Sequence, residues 1–430
     1  MKTSNALHHA VPLRIESVRF DRHYKRLLMV SEEHFSRSKS GAIYARGPAN
    51  YSFWSRYLGA FDEVIVLARV RSSQGPEDDC QRADGPNVFI RSLPDYVGPL
   101  QHFLNQRISR RIARQAIKVC DAYLLRVPGL VSRMVRHELC QLKKAYAVEV
   151  LGDPWEALKP GTWPGIFRPV YRYLGMNQMK RTCDGAIAIN YVTSETLQQR
   201  YPPSKDAYAV SFSDVMLQTT EISTHIFEKR KTRLGDMPWR EARYGTPIRI
   251  GFVGRFLFYK GPDVILRASA LCRNHLNFQL IMIGKGRHLG NMKALASELG
   301  VQDYVDFAGE LSSGSSIFEF LDSIDLFVMP SRAEGLPRAL VEAMSRGCPC
   351  IASAVGGIPE LLEPSDLVPP DSPEALAKLI LQVAADSDRL LAMSARNLAK
   401  ATQFSPQTLN ESRRAFLEEI KRRSSLLSSA

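Results

Sequence analysis

Twelve short apolar runs, rich in β-branched residues and separated by helix-like stretches, constrain this chain more than any other feature. In the first half they cover 27–31, 64–70, 87–90, 122–127, 145–151, 185–189 and 207–212. In the second half they cover 248–253, 278–283, 305–308, 326–329 and 350–353. The runs lack polar alternation, as expected of parallel strands covered on both faces. Strands alternating with helices point to parallel α/β sheets. A chain of 430 residues has room for two or three domains. Its 45% hydrophobic and 23% charged residues suit a folded core rather than disorder. A polar stretch over 219–246 separates the two series of runs. It carries Glu228, Lys229, Arg230, Lys231 and Arg233, then Pro238 and Gly245, a composition that suits a domain connection. The stretch 405–423 reads as one long helix with Ser405 as cap and Pro406 in its first turn. It follows the last strand, so it can pack back on the first domain. The closing SSLLSSA reads as a frayed end.

The formal charge of +13 attracts anions, whether nucleotide phosphates or acidic lipids. Seven cysteines, an odd number, include no zinc or redox spacing; even Cys348 and Cys350 are only two apart. They read as reduced thiols. The opening residues break any apolar run with histidines, a proline and charges, unlike a signal peptide. No run of about 20 apolar residues is present to cross a bilayer. A cytoplasmic protein is therefore expected.

Four segments carry possible chemistry. In PSRAEGLPRALVE, a strand leads to Gly335, whose freedom permits a tight turn, and Pro337 suits the start of a helix. A strand, a glycine turn and a helix N-terminus together make an anion site. Glu334 lies in the turn and Glu342 within the helix; taken alone, both also read as ordinary helix acids. In GFVGRFLFYKG, Gly251 and Gly254 let backbone come close, while Arg255 and Lys260 bring two cations to one loop. In ASAVGGIPE, Gly356 and Gly357 offer backbone N–H groups beside a helix start, or form a simple turn. In IGKG, Gly284 and Gly286 suit a sharp strand exit, with donor contact as a second role.

The ordered set GRFLFYKG, IGKG, VDFAGEL, PSRAEGLPRALVEAMSRGCPCIAS and GGIPE resembles the retaining glycosyltransferases with the GT-B fold, family 4 in the sugar-enzyme classification (glycosyl transferases group 1). The likeness covers residues 248 to about 362. Its most specific part is the pair Glu334 and Glu342, separated by seven residues. The resemblance implies two Rossmann-like α/β domains facing across a cleft, with a C-terminal helix crossing back. Residues 1–222 would bind the acceptor, 223–404 the donor, and 405–430 would form the crossover helix and tail. It implies transfer of a sugar, of the hexosyltransferase class, from a nucleotide-diphosphate donor to an acceptor hydroxyl with retention. Arg255 and Lys260 match the cations that hold the diphosphate. Glu342 matches the ribose carboxylate, and Glu334 the acid near the transferred sugar. Gly254, Gly284, Gly335, Leu336 and Pro337 match donor-contacting turns.

The first half departs from the family pattern. Many relatives carry a histidine near VEVLGDPWE, where this chain has Leu151, with Glu149 and Asp153 nearby. Asp153 is the candidate acceptor-side acid, or a turn acid before Pro154. Gly41 follows the first strand and could let backbone meet phosphate, or is a loop glycine. The basic stretch QRISRRIARQAIKV puts Arg107, Arg111, Arg114 and Lys118 near one helix face, suiting either an acidic membrane surface or an ordinary surface helix. No metal and no cofactor are expected beyond the nucleotide-sugar donor, and no nucleic-acid partner. The acceptor is expected to be a saccharide or a lipid-linked molecule, made in polysaccharide or glycolipid synthesis. A non-catalytic nucleotide-sugar-binding subunit and a GT-B epimerase share the architecture and remain alternatives.

Overall fold

The computed structural model describes residues 25–73, 80–159, 167–217, 222, 224–235, 246–311 and 314–429. The first sheet holds β1 (Arg26–Arg37), β2 (Ile43–Arg46), β3 (Glu63–Ser72), β4 (Cys80–Arg82), β5 (Val88–Leu93), β6 (Ala122–Val127), β7 (Ala147–Val150), β8 (Ala188–Tyr191) and β9 (Tyr208–Ser211). Its parallel core runs β5-β3-β1-β6-β7-β8-β9. Every residue of β6, β7 and β8 is buried, which is why these strands read as apolar runs; each holds one polar residue, Arg126, Glu149 and Asn190, and all three are hydrogen-bonded. The far end of β1 shifts register between Val30 and His34 and pairs antiparallel with β2, which pairs with β4. Strands β2 and β4 are absent from the apolar runs because they are short and carry Arg46, Gln81 and Arg82 at exposed positions. Helices α1 (Tyr51–Ser55), α2 (Gly98–Lys118), α3 (Leu130–Gln141), α4 (Pro154–Ala157), α5 (Arg168–Asp184) and α6 (Thr196–Arg200) complete this domain.

Helix α7 (Thr224–Gly235) leads into the second domain. Its strands are β10 (Ile248–Val253), β11 (Phe278–Ile283), β12 (Val305–Gly309), β13 (Leu326–Met329), β14 (Cys350–Ser353) and β15 (Leu367–Val368). All are parallel, in the order β12-β11-β10-β13-β14-β15. Between and around them lie α8 (Pro262–Cys272), α9 (Leu289–Glu298), α10 (Ser315–Ser323), α11 (Arg338–Ser345), α12 (Pro373–Ala384) and α13 (Ser387–Ala401). In each sheet the strand order reverses beside the first strand: between β1 and β6, and between β10 and β13. In parallel α/β sheets, ligands bind in the crevice at the carboxyl ends of such strands.

The stretch read as a polar connection is partly structural. Arg230 of α7 is buried and donates to the Leu321 and Ile324 carbonyls, while Arg233 donates to the Ser323 carbonyl at 3.2 Å. The last carbonyls of a helix have no partner within it. The two guanidiniums therefore cap the end of α10, and a charge-rich sequence becomes part of the domain. Residues 219–221, 223 and 236–245 of that stretch lie outside the described residues.

The last helix, α14 (Pro406–Ser429), returns to the first domain. Leu409, Phe416, Leu417 and Ile420 bury against a core that includes Ala122, Ala188 and Phe212. The Phe212 and Phe416 rings meet edge to face at 5.8 Å. The helix continues through the closing serines and leucines to Ser429, so the expected frayed end is instead helical. Just before it, the Leu217 N–H donates to the Phe404 carbonyl at 2.9 Å, tying the outgoing and returning chain segments together. Phe416→Ala should cost about 3–5 kcal/mol of stability, read as a lower denaturant midpoint for the first domain. An unchanged midpoint would show that α14 is dispensable to that core.

Candidate active site

The site at the second domain's strand reversal is assembled by backbone contact between loops. Gly261 follows the β10 loop at φ +67, and a Cβ there would run into the Pro330 carbonyl oxygen at the end of β13. Only a residue tolerant of this conformation and without a side chain fits. The Arg332 N–H then donates to the Tyr259 carbonyl at 2.7 Å. The Arg332 side chain grips both oxygens of Asp263 at 2.8 and 2.7 Å and reaches Asp371 at 2.6 Å. It also lies 4.1 Å from the Phe258 ring centroid. Burial disfavours its charge, but Asp263 and Asp371 outweigh that and raise its pKa. Arg332 holds the two loops in register. Sequence reasoning passed over it, although it stands two residues before Glu334.

This packing brings Lys260 and Glu334 together. The Lys260 Nζ lies 2.7 and 3.0 Å from the two Glu334 carboxylate oxygens, and Ser331 Oγ donates to the same carboxylate at 2.6 Å. The Glu334 side chain is only 7% exposed and that of Lys260 19%. Burial works against the lysine's charge, yet the Glu334 charge dominates and lifts its pKa above the ordinary value. Lys260 is therefore cationic at neutral pH. Arg255 is exposed, and its charge acts on Lys260 from nearby. Its guanidinium has no hydrogen-bond partner among the described residues. Two cations against one carboxylate leave a local positive excess, reinforced by the N-terminus of α11 just beyond Glu334.

The remaining donor-side candidates divide. Gly284, at φ +141, packs against Gly254: a Cβ would meet the Gly254 carbonyl oxygen. Both shape the loop base. At Gly335 a Cβ would strike the Leu151 carbonyl of the first domain, so this turn is a point of contact across the cleft. Leu336 packs against the cores of both domains. Pro337 is the residue before α11. Glu342 lies one turn into α11, its side chain 18% exposed, with Arg338 Nη1 3.7 Å away. The Gly356–Gly357 pair differs from the expected anion nest. Gly357 N–H donates to the Gly335 carbonyl at 2.8 Å, and a Cβ on Gly356 would meet the Glu334 carbonyl. The paired glycines brace the Glu334 turn from behind.

In the first domain, the structure places two candidates. Asp153 is buried and caps α4, accepting from the Trp155 N–H at 2.8 Å while also bonding Tyr201 Oη and Arg200. These bonds match the turn-acid reading of Asp153. Gly41 sits exposed in the turn between β1 and β2, with no atom near a built Cβ, and no contact joins it to Lys260 or Glu334. The carboxylate at the first domain's strand reversal is Glu32. It accepts from the Val131 and Ser132 N–H groups at 2.8 and 3.1 Å, at the start of α3. Burial raises its pKa despite those donors. A Cβ on Gly129 would collide with it. The acidic pair after the first strand was the available signal.

A second contact crosses the cleft. Glu360 accepts from the Ser194 N–H at 2.5 Å, from the Glu195 and Thr196 N–H groups at 3.2 and 2.9 Å, and from Thr196 Oγ1 at 2.7 Å. A residue of the second domain thus caps α6 of the first. Burial alone would raise its pKa, but these donors lower it below the ordinary value.

Two facing parallel α/β domains, a returning C-terminal helix and a cation–carboxylate site at the second sheet's reversal define a GT-B glycosyltransferase architecture. HepE from Anabaena, solved in complex with UDP-glucose, shares the fold with a TM-score of 0.60 at 17% identity, over 95% of this chain and 100% of that one. Residues 236–401 match the family model described as Glycosyl transferases group 1. Protein CapJ of Staphylococcus aureus is 27% identical over 335 residues, 77% of this chain and 80% of CapJ. The amylovoran biosynthesis glycosyltransferase AmsK of Erwinia amylovora is 32% identical over 147 residues, 32% of this chain and 36% of AmsK. The match to the group 1 glycosyltransferase model thus falls within the second half of the chain.

Removing the cross-domain cap has a directional signature. Glu360→Ala should lower stability by about 1 kcal/mol at neutral pH. Because the folded-state pKa is depressed, this contribution is present above the unfolded-state value and disappears as pH falls through the folded one. Melting curves of both proteins should therefore converge in acid. A gap that persists there would assign the effect to something other than the carboxylate.

Proposed function

We propose that this protein is a retaining glycosyltransferase that uses a nucleotide-diphosphate sugar, without a metal, to extend a polysaccharide or glycolipid. The observation that carries the reading is the buried Lys260–Glu334 pair beside Arg255 and the α11 N-terminus. An ammonium has three donors. Two positions on Lys260 are taken by the Glu334 oxygens, leaving one for a diphosphate oxygen. Arg255 supplies a second, planar grip. Glu334 holds Lys260 and meets hydroxyls of the transferred sugar; Glu342 accepts from the ribose. Gly254, Gly335, Leu336 and Pro337 shape the donor bed.

In the reaction, the bond from the anomeric carbon to the diphosphate breaks and a bond to the acceptor oxygen forms on the same face. The acceptor proton passes to an oxygen of the departing diphosphate. The transition state places growing negative charge where Arg255 and Lys260 lie, so these cations supply the stabilisation that a divalent ion gives elsewhere. The amylovoran enzyme among the relatives supports a role in glycan assembly. HepE, solved with UDP-glucose, makes uridine the first base to test.

Thermal stabilisation by UDP-, GDP-, ADP- and TDP-sugars tests donor binding directly. One nucleotide class should raise the melting temperature, with chelator present, and Arg255→Ala should abolish the shift. No shift from any of them at millimolar concentration would overturn the reading. Arg255→Ala and Lys260→Ala should each reduce turnover by roughly 10²–10³, whereas Glu342→Ala should chiefly raise the donor KM. Donor binding without transfer or hydrolysis would favour the non-catalytic subunit, and epimerised donor the epimerase.

A further inference from the structure

The interior of the first domain holds a cluster of charges that the transfer reaction does not use. Arg126 of β6 and Glu149 of β7 share a sheet face with Leu124 and Ala147, which enter the core that α14 closes. Arg126 Nε lies 3.1 Å from one Glu149 oxygen, and the Tyr57 hydroxyl donates to the other at 2.9 Å. Arg126 Nη2 donates to Asp214, just after β9, at 2.8 Å. One arginine thus answers both carboxylates. Exposed Glu33 contributes the weakest of the charges acting on Arg126.

Two further guanidiniums reach the same place without an acid of their own. Arg56 follows α1 and donates from Nε to the Phe53 carbonyl at 2.9 Å and from Nη1 to the Asp214 backbone carbonyl at 3.5 Å. Arg413 of α14 is 3% exposed. Its Nη1 donates to Asn410 at 2.9 Å and lies 3.9 Å from the Met216 sulfur. Both side chains therefore meet the short segment 214–216 that leaves the first domain. Neither reaches a carboxylate oxygen among the described residues. The Nη2 atoms of both are shielded from water and have no hydrogen-bond partner among those residues.

The faces of the two guanidiniums are covered. Arg56 lies 4.0 Å from the Phe53 ring centroid, and Arg413 lies 5.5 Å from that of Phe212. What each leaves open is an in-plane N–H edge, the direction in which a guanidinium binds an anion. Burial, with the nearby Arg413 charge, lowers the Arg56 pKa to about 10 against the pull of Asp214 and Glu149. Both side chains still carry their charge at neutral pH. Buried charge without a partner is costly, and two like charges in a shielded region repel. Three guanidiniums against Glu149 and Asp214 leave one positive charge, which a single monovalent anion balances.

We propose that Arg56 and Arg413 bind a small monovalent anion of chloride type between α1, the outgoing chain and α14. Shielding of both Nη2 atoms favours a compact ion over a larger oxyanion. The ion joins the returning helix to the first domain, so occupancy strengthens that docking. The site is separate from Lys260, Glu334 and Arg255, and the proposal does not rest on the transferase reading.

Melting curves of the full chain test it. The protein is dialysed into sodium gluconate, and chloride replaces gluconate at constant ionic strength, so screening of surface charge stays fixed. Chloride at about ten times its dissociation constant should raise the wild-type melting temperature by roughly 2–4 °C. Arg413→Gln should lose the rise. Arg56→Gln, at a half-buried residue, should lose it too and carries the test if Arg413→Gln fails to fold. Arg255→Ala should keep it. Equal wild-type melting in chloride and gluconate would overturn the proposal, as would a rise that Arg56→Gln retains. A rise abolished by Arg255→Ala would move the anion to the second domain and overturn it as well. A rise with orthophosphate and none with chloride would refute the small-ion assignment.

Discussion

The geometry of the second domain's site depends on one close approach: the backbone of Gly261 against the carbonyl of Pro330. Any side chain at that glycine would separate the loop after β10 from the strand end of β13. Lys260 and Glu334 are 74 residues apart in the chain, and the adjacent glycine sets their distance. Arg332 locks the approach by joining Asp263, Asp371 and Phe258. The Gly356–Gly357 turn closes behind it, leaving no room between itself and the Glu334 backbone. The charge arrangement follows from this packing. A buried carboxylate needs a partner, and the fold delivers a lysine to the one place where Glu334 can use it.

The sequence was most legible where periodicity and burial agree. All twelve apolar runs correspond to strands, because β6, β7, β8, β13 and β14 are buried along their whole length and are mostly apolar, Arg126 and Glu149 being kept there by pairing with each other. The antiparallel β2 and β4 were invisible, since they are only four and three residues long, too short for the alternation of buried Ile43 and Ala45 to stand out. The α7 segment was misread because its arginines resemble a solvated linker; their role as caps for α10 exists only once the helix is placed. The closing residues became helix because α14 docks on a core, and tertiary packing overrides weak local propensity.

The site of the second domain was far more readable than the facing surface of the first, and for a physical reason. A phosphate-binding loop needs glycines and cations at fixed spacings within a continuous segment. An acceptor surface is assembled from separate strand ends whose residues are distant in the chain. Glu32 and Gly129 are 97 positions apart yet mutually dependent, and nothing local marks the pair. Asp153 stayed open between an acceptor-side acid and a turn acid because a capping role depends on where α4 starts.

The chain passes between the domains twice, once leaving the first domain after β9 and once returning before α14. At those crossings Leu217 and Phe404 are hydrogen-bonded to each other. A single tether would let two bodies twist and slide freely. Two tethers pinned side by side behave as a hinge with a fixed axis, so the domains can swing while lateral displacement is resisted. On the far side of that axis, the Glu360 cap on α6 and the Gly335 contact with Leu151 act as stops. The paired crossings and the two contacts together hold the facing loops of the two domains in one register.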